Sequence, residues 1–326
     1  METGQDNSIA DSAVKKETRT RRLITMTVRL LVASGLLYLI FRMVSVEEIV
    51  RAYRTASIGY IVAGACLLSL NILLQVMKWR YMLHLVKDES SWWEAFSSVL
   101  LGITLGSFTP GQLGELGGRT LRVNHSKASH IVGLTLVDRT QVFLVISMAG
   151  LFSYSFFLIH ETSLALAVGF ACASICLYLY FRIDLVKHLA DRINLKVFRH
   201  RWIDGIIESF TFIGRDHFLS TLLYSLVFYG VIYLQMYFLI NAFAGVSAWN
   251  VFLGFSAMMF FKSVVNISIS DIGIREASTV YFFTLLGVPA AAALNAAGLM
   301  FAINVIFPSI VGALFWPKLR LFKDTQ

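Results

Sequence analysis

The sequence predicts an all-α polytopic membrane protein, with about six full transmembrane helices and two re-entrant helical hairpins arranged as an inverted repeat. The first observation is composition, since 57% of the 326 residues are hydrophobic and the mean hydropathy is +0.69. The second is that apolar runs near the length that crosses a bilayer recur along the chain. The third is that two of these runs are broken by glycines and charged residues. No stretch between the runs is long enough to bury a core of its own, which argues against an attached catalytic domain.

Polar and apolar stretches alternate in an order that assigns each predicted element. Residues 1–22 are polar and end in a basic cluster, so we expect a disordered tail there. The tetrapeptide Lys78-Trp79-Arg80-Tyr81 closes the second span and is interpreted as a basic, aromatic anchor at a membrane interface. The predicted full spans are 23–44, 58–77, 131–159, 163–181, 219–241 and 290–316.

Two interrupted runs, at about 92–121 and 249–287, are predicted to be re-entrant hairpins. Irregular backbone at membrane depth is tolerated only where protein or a water-filled cavity satisfies it. A charged side chain there costs roughly 2.5–3.5 kcal/mol on insertion scales, so it usually marks a pathway or a binding site. One broken, charged segment in each half of the chain is typical of transporters built from inverted repeats.

The distribution of Lys and Arg favours this topology. If every apolar run crossed fully, the basic loops 119–130 and 182–218 and the basic C-terminus could not all lie on one side. With two hairpins that leave on the side they entered, these loops and both termini are cytoplasmic. The order span, hairpin, span then occurs at 58–159 and again, in opposite orientation, at 219–316. The net charge of +8 fits basic cytoplasmic loops and would also attract anionic lipid headgroups.

The first hairpin breaks at Pro110 and carries groups suited to an anion. Gly111 and Gly114 permit unusual backbone angles, so a turn here can aim free N–H groups at an anion. Arg119 offers a bidentate grip on a phosphate. Glu115 accepts hydrogen bonds when ionised, so we expect it to pair with Arg119, Arg139 or Arg275, or to carry a proton. The alternative is a charge pair that only locks the hairpin.

Asp138 and Arg139 are neighbours inside a predicted span. Adjacent residues point to different faces of a helix, so each needs its own partner elsewhere in the bundle. Either a structural role or a role in transport is open for this pair.

The second hairpin repeats the chemistry of the first. Ser268 and Ser270 offer hydroxyls, Gly273 a turn, and Arg275-Glu276 a charge pair that opens a helix. A glutamate in the first helical turn is also what simple dipole capping would give. Lys262, within the preceding run, is interpreted as a snorkelling lysine.

Three pieces of sequence, taken in order, resemble the membrane domain of bacterial lysylphosphatidylglycerol synthases and related stand-alone flippase-like proteins. They are Lys78-Trp79-Arg80; Gly106 to Arg119, with its Pro-x-x-x-Gly-Glu pattern; and Ser268 to Glu276, followed by Leu286-Gly-Val288. Two departures stand out. The family often has a proline where this chain has Asn266-Ile-Ser268, and an arginine directly after Gly-Glu where this chain has Leu116-Gly-Gly before Arg119.

The resemblance implies a flippase-like transmembrane domain at 23–317 with a short basic cytoplasmic tail at 318–326, in a bacterial or archaeal plasma membrane. It also implies that the protein moves a lipid between leaflets. The leading hypothesis is a flippase for a phospholipid or polyprenyl-phosphate-linked lipid, with membrane lipids bearing anionic or phosphate headgroups as partners. Arginines 119, 139 and 275 would hold phosphate, while Glu115, Asp138 and Glu276 would bind an amine or sugar headgroup or relay protons.

Two other functions stay open at this stage. The protein could be a membrane subunit that assists a glycosyltransferase or another lipid-modifying enzyme, or, less in keeping with the residues, a membrane-embedded enzyme. The sequence contains no metal, phosphate-loop or catalytic-triad signature. A transporter without a cofactor and without a nucleic-acid partner is therefore expected, and its transport would be passive or ion-coupled.

Overall fold

The computed structural model describes residues 46–109, 111–123, 127–159, 161–181, 215–265 and 271–316. Several predicted features lie outside these residues, and their structure is not described. They are both tails, the first span at 23–44, most of the basic loop 182–218, Pro110, Asn266, Ser268 and Ser270.

All regular structure in the described residues is helical, which confirms the predicted class. The helices are α1 Val46–Arg54, α2 Ile58–Leu83, α3 Trp92–Ser107, α4 Gly114–Arg122, α5 Ala128–Leu158, α6 Thr162–Phe181, α7 Arg215–Asn241, α8 Ala248–Val264, α9 Ile274–Leu285, α10 Ala290–Phe301, a π-helical turn Ala302–Ile306, and α11 Phe307–Ala313.

Within the described ranges, four helices are long and apolar enough to cross a membrane. Two shorter apolar helices, Thr162–Ile175 and Ala248–Val264, accompany them. The four long helices coincide with the predicted spans near 58–77, 131–159, 219–241 and 290–316. The chain is therefore a multi-pass membrane protein. The long helices are Ile58–Leu83, Ala128–Leu158, His217–Asn241 and Ala290–Ala313.

Helices α3 and α4 form a tight antiparallel hairpin. The contacts run in opposite directions along the two helices, because Gly114 faces Leu105 and Gly118 faces Leu101. A Cβ added at Gly118 would lie 2.6 Å from the carbonyl oxygen of Leu101, so the two backbones approach more closely than any side chain would allow. Small residues permit such close helix packing in membranes.

Helices α8 and α9 form a second antiparallel hairpin. Gly254, early in α8, faces Phe283 at the end of α9, whereas Lys262, late in α8, meets Asp271 just before α9. The first helix of each hairpin starts at a serine. The Ser91 hydroxyl accepts a hydrogen bond from the Glu94 amide at 3.0 Å, and that of Ser247 from the Asn250 amide at 3.2 Å.

Apolar packing lies on both sides of the hairpins. The larger cluster joins α5, α7, α8, α9 and α10 around Met236, Phe255 and Phe283, each with no exposed surface. The smaller joins α2, α3 and α5 around Trp79 and Leu134, and the Trp79 indole N–H donates to the Ser98 hydroxyl at 3.0 Å. Both hairpins pack into these clusters, since α8 and α9 belong to the larger and α3 to the smaller.

We expect Gly118→Ala to destabilise the protein by about 1–3 kcal/mol, the usual cost of overpacking. The added methyl group would collide with backbone atoms of α3, which cannot move aside as a flexible side chain would. Gly117→Ala is the matched control, because a Cβ there meets nothing within 4 Å and alanine favours the helix. Melting temperatures of the two purified variants test this, and equal values would contradict the close hairpin contact.

Candidate functional site

A cavity of about 410 Å³ lies between the two hairpin tips. More than half of its lining residues are apolar, and we call it the polar cavity after the charged and amide side chains among them. Its walls come from α2, α3, α4, α5, α7, α8, α9 and the α10 region, including the π-helical turn. The polar residues lining it are Asn71, Gln75, Ser107, Gln112, Glu115, Arg139, Lys262, Ser263, Asp271, Arg275 and Asn304. Polar lining inside a bundle of apolar helices is the expected setting for a hydrophilic group that must cross the membrane interior.

The hairpin tips touch through two residues with the same unusual backbone. Gln112 has φ 56° and Asp271 has φ 58°. These angles lie in the left-handed region that residues other than glycine rarely adopt. The Gln112 side-chain amide donates to an Asp271 carboxylate oxygen at 3.3 Å. The two hairpin tips are therefore in contact, and backbone strain of this kind clusters at functional sites.

A buried ion cluster lies behind the first hairpin. The Asp138 carboxylate pairs with Lys78 Nζ at 2.5 Å and with Arg119 Nη1 at 2.9 Å. Arg119 Nη2 also pairs with Glu115 Oε1 at 2.6 Å, and the guanidinium lies 4.5 Å from the centre of the Trp79 ring. All four charged residues are less than 9% exposed, and the cluster joins α2, α4 and α5. Lys78, Arg119 and Asp138 do not line the cavity, whereas Glu115 does.

The interpretation of Lys78 as an interfacial anchor is wrong, because the structure places its side chain inside the bundle. Helix α2 continues to Leu83, so Lys78 stands more than one turn before its end and turns inward. Besides Asp138, its ammonium group reaches the Ser225 hydroxyl on α7 at 2.7 Å. Lys78 therefore connects three helices.

Arg139 points to a different side of α5 from Asp138, because adjacent residues on a helix do not share a face. It pairs with the second carboxylate oxygen of Glu115. Although it lies in the middle of α5, 43% of its side chain is exposed, and the exposed part faces the cavity. Glu115 thus bridges the buried Arg119 and the cavity-facing Arg139.

The second hairpin carries two ion pairs of its own. Lys262 Nζ lies 3.1 Å from Asp271 Oδ2, so this lysine is paired inside the bundle rather than snorkelling, which corrects that interpretation. Arg275 pairs with Glu276 at 2.5 Å, and its guanidinium lies 4.2 Å from the centre of the Phe301 ring. Glu276 also accepts from the Gly273 backbone N–H at 2.8 Å and so caps the start of α9.

The charges of these two groups do not balance. Their cations are Lys78, Arg119, Arg139, Lys262 and Arg275, and their carboxylates are Glu115, Asp138, Asp271 and Glu276. One positive charge is in excess among the described residues of the site. The same excess holds at the cavity wall, where three of the cations face two of the carboxylates.

The cavity separates the predicted site residues into two sets. Gly111, Glu115, Arg139 and Arg275 line it. A second set lies behind the wall, namely Gly114, Arg119, Asp138, Gly273 and Glu276, and the remaining three predicted residues, Pro110, Ser268 and Ser270, are outside the described part of the chain.

A chain of side-chain amides at the cavity wall was not predicted from the sequence. Asn71, on α2, donates to Asn304 at 3.0 Å and accepts from Gln75 at 2.7 Å. Asn304 lies in the π-helical turn and donates to Gln235 of α7 at 2.8 Å. A single amide side chain in an otherwise apolar run is the sequence signal that could have found these residues. Such a side chain needs a partner, because an unpaired polar group is costly in hydrocarbon. Residues of the described ranges form no group of three or more His, Cys, Asp or Glu that could hold a metal ion.

The fold and the site define a multi-pass helical membrane protein with a polar, net cationic cavity between two helical hairpins. A family model described as lysylphosphatidylglycerol synthase TM region matches residues 26–312. The chain belongs to this family, which confirms the resemblance seen in the sequence motifs. No curated protein matches the chain.

Proposed function

We propose that the protein moves a phosphate-bearing lipid between the two leaflets, with the headgroup passing through the polar cavity while the hydrocarbon chains stay in the bilayer. The observation that carries this proposal is the cavity-facing guanidinium of Arg139 in a site with one excess positive charge. Membership of the family supports a role connected with membrane lipids. The substrate is a phospholipid or a polyprenyl-phosphate-linked lipid.

The pairing of Glu115 makes Arg139 suitable for reversible phosphate binding. Glu115 keeps Arg119 as a partner at 2.6 Å when Arg139 turns from it toward a phosphate. Binding therefore leaves no buried carboxylate unpaired, which would otherwise cost several kcal/mol. The planar fork of arginine matches two phosphate oxygens at once.

Two further groups at the cavity wall suit a phosphate-bearing headgroup. Arg275, from the second hairpin, supplies a cation on the other side of the cavity. Asp271 and the Gln112 amide suit the hydroxyl or amine part of the headgroup. The headgroup would thus contact both hairpins. Its movement would be passive or ion-coupled, and neither needs a nucleotide-driven step.

The proposed membrane arrangement has six full spans, two re-entrant hairpins and both termini in the cytoplasm of a bacterial or archaeal cell. The antiparallel form of both hairpins, their serine starts and their matching left-handed tips support an inverted repeat. The distribution of Lys and Arg supports the orientation.

Single cysteines in a background without native cysteines test this orientation. His125→Cys and His200→Cys should react with a membrane-impermeant maleimide only from the cytoplasmic side, and Glu161→Cys and Gly245→Cys only from the outside. Reaction of His125→Cys from outside would contradict the first re-entrant hairpin.

Reconstitution of the purified protein in liposomes tests the function. We expect it to accelerate the movement of phosphatidylglycerol between leaflets over the rate in protein-free liposomes. If the purified protein moves no phosphate-bearing lipid, the proposal fails. The alternative of a subunit that assists a lipid-modifying enzyme would then be favoured.

A further inference from the structure

An apolar groove of about 690 Å³ lies beside the polar cavity, between α2, α3 and α11. Ile72 of α2, Leu100 of α3 and Phe307 of α11 are among its lining residues, and Ser69 is the only Ser, Thr, Asn, Gln or charged residue among the described ones. Trp92 and Trp93 stand at one end, where the Arg80 guanidinium lies 4.6 Å from the Trp92 ring centre. Tryptophan with arginine is typical of the headgroup level of a membrane, so the groove extends from that level into the bundle.

The groove and the cavity are neighbours along α2 and along the stretch that follows α10. On α2, Asn71 lines the cavity and Ile72 the groove, and after α10, Asn304 lines the cavity and Phe307 the groove. The hydrogen bond between Asn71 and Asn304 spans the seam that separates the two spaces. Opening this seam would join the polar cavity to the apolar groove.

The other seams around α2 and α11 are held more firmly. Lys78 ties α2 to α7 and to the Asp138 carboxylate of α5. Between α3 and α11 the backbones touch, since a Cβ at Gly312 would lie 2.3 Å from the Leu100 carbonyl oxygen. The seam at the π-helical turn is held by neutral amide hydrogen bonds, each worth about 0.6 kcal/mol in a membrane protein. Such π-helical turns are frequent at functional sites.

We propose that the seam between α2 and the π-helical turn is the lateral gate of the headgroup cavity, latched by Asn71, Asn304 and Gln235, and that the groove beside it receives one hydrocarbon chain of the lipid. This inference rests on the proposed function. When the gate opens, the headgroup enters the cavity from the bilayer while the chain remains against apolar side chains. The released amides can hydrogen-bond the ester and phosphate oxygens of the lipid, so the gate opens without leaving polar groups unpaired.

A thiol bridge across the seam tests the gate. In a background without Cys66, Cys172 and Cys176, the pair Asn71→Cys and Asn304→Cys is reconstituted and its phosphatidylglycerol translocation is measured before and after mercuric ion, which bridges two nearby thiols. We expect the bridged protein to fall to the protein-free rate and to recover with excess dithiothreitol. Each single cysteine variant is a control for modification alone.

A second pair is the control for bridging as such. Ser155→Cys and Ala165→Cys join α5 to α6, where the Ser155 hydroxyl donates to the Ala165 carbonyl at 2.6 Å, away from the cavity. We expect this bridge to leave translocation unaffected. Equal rates before and after bridging of Asn71→Cys with Asn304→Cys would overturn the gate, while translocation by that same protein would leave the proposed function intact.

The groove is tested on the unmodified protein, so the result does not depend on any variant. A phosphatidylglycerol with a photoreactive diazirine on one acyl chain should label peptides of α2, α3 and α11 at the groove. Labelling confined to other faces would overturn the chain site. A cross-link from Leu73→Cys to a cysteine in residues 23–44 would also overturn it, because the groove would then hold the protein's own first predicted span. Groove labelling without any translocation would refute the proposed function and leave the chain site standing.

Discussion

Arg139→Gln is expected to slow the translocation of phosphate-bearing lipid by about tenfold to a hundredfold, the loss that follows from removing a charged hydrogen bond worth roughly 1.5–3 kcal/mol. The folded protein should persist, because the Arg139 side chain is 43% exposed and Glu115 retains its partner Arg119. The translocation rate of Arg139→Lys should lie between that of Arg139→Gln and that of the unmodified protein, since lysine keeps the charge and loses the planar fork. Translocation rate per folded protein, with melting temperature alongside, measures both effects.

The matched control is Arg122→Gln. Arg122 lies at the end of α4, in the same hairpin as Glu115, but it donates to the Ser97 hydroxyl at 3.2 Å and does not line the cavity. Its replacement should leave the translocation rate close to that of the unmodified protein. A normal rate for Arg139→Gln, or a loss that only follows the loss of folded protein, would refute the role given to Arg139.

Asp138→Asn is expected to destabilise the protein by about 3–5 kcal/mol, because it leaves Lys78 and Arg119 buried without the carboxylate that they share. The measurement is the melting temperature and the yield of monodisperse protein in detergent. Here the loss of activity should follow the loss of folded protein, in contrast to Arg139→Gln.

A double variant separates the charge effect from other effects of the substitution. Lys78→Met combined with Asp138→Asn removes both members of one ion pair and leaves Arg119 with Glu115 at 2.6 Å. We expect the double variant to be more stable than Asp138→Asn alone, as coupling between contacting residues requires. Equal instability of the two proteins would show that the cluster does not act through paired charge.

The sequence predicted those features that local patterns determine. Glycines and charges inside apolar runs indicated two hairpins, and adjacency on one helix indicated that Asp138 and Arg139 would take separate partners. Both follow from helix geometry, which needs only a few neighbouring residues.

Features that depend on distant partners were not accessible in the same way. Lys78 near the end of an apolar run has the pattern of an interfacial anchor, and only Asp138, 60 residues further on, shows that it turns inward. The π-helical turn places Asn304 toward Asn71 and Gln235, and no local pattern distinguishes this turn from a regular helix. The position of Arg119 behind the wall, rather than in the cavity, likewise depends on the packing of α2, α4 and α5.

The structure separates two tasks that the sequence left together. Buried Lys78, Arg119 and Asp138 stabilise the hairpin against the spans, while Arg139, Arg275 and Asp271 face the cavity. Glu115 belongs to both groups, because it pairs with Arg119 on one side and with Arg139 on the other. Under the proposed function, the buried cluster keeps the site in place while the cavity-facing charges exchange partners with a headgroup.

An experimental structure of the protein in phosphatidylglycerol nanodiscs tests the central claim most directly. We predict that the cavity lies within the hydrocarbon layer and holds a lipid phosphate within about 2.7–2.9 Å of the Arg139 guanidinium, the length of a charged hydrogen bond. A cavity that contains only hydrocarbon, with phosphates confined to the two membrane surfaces, would contradict it.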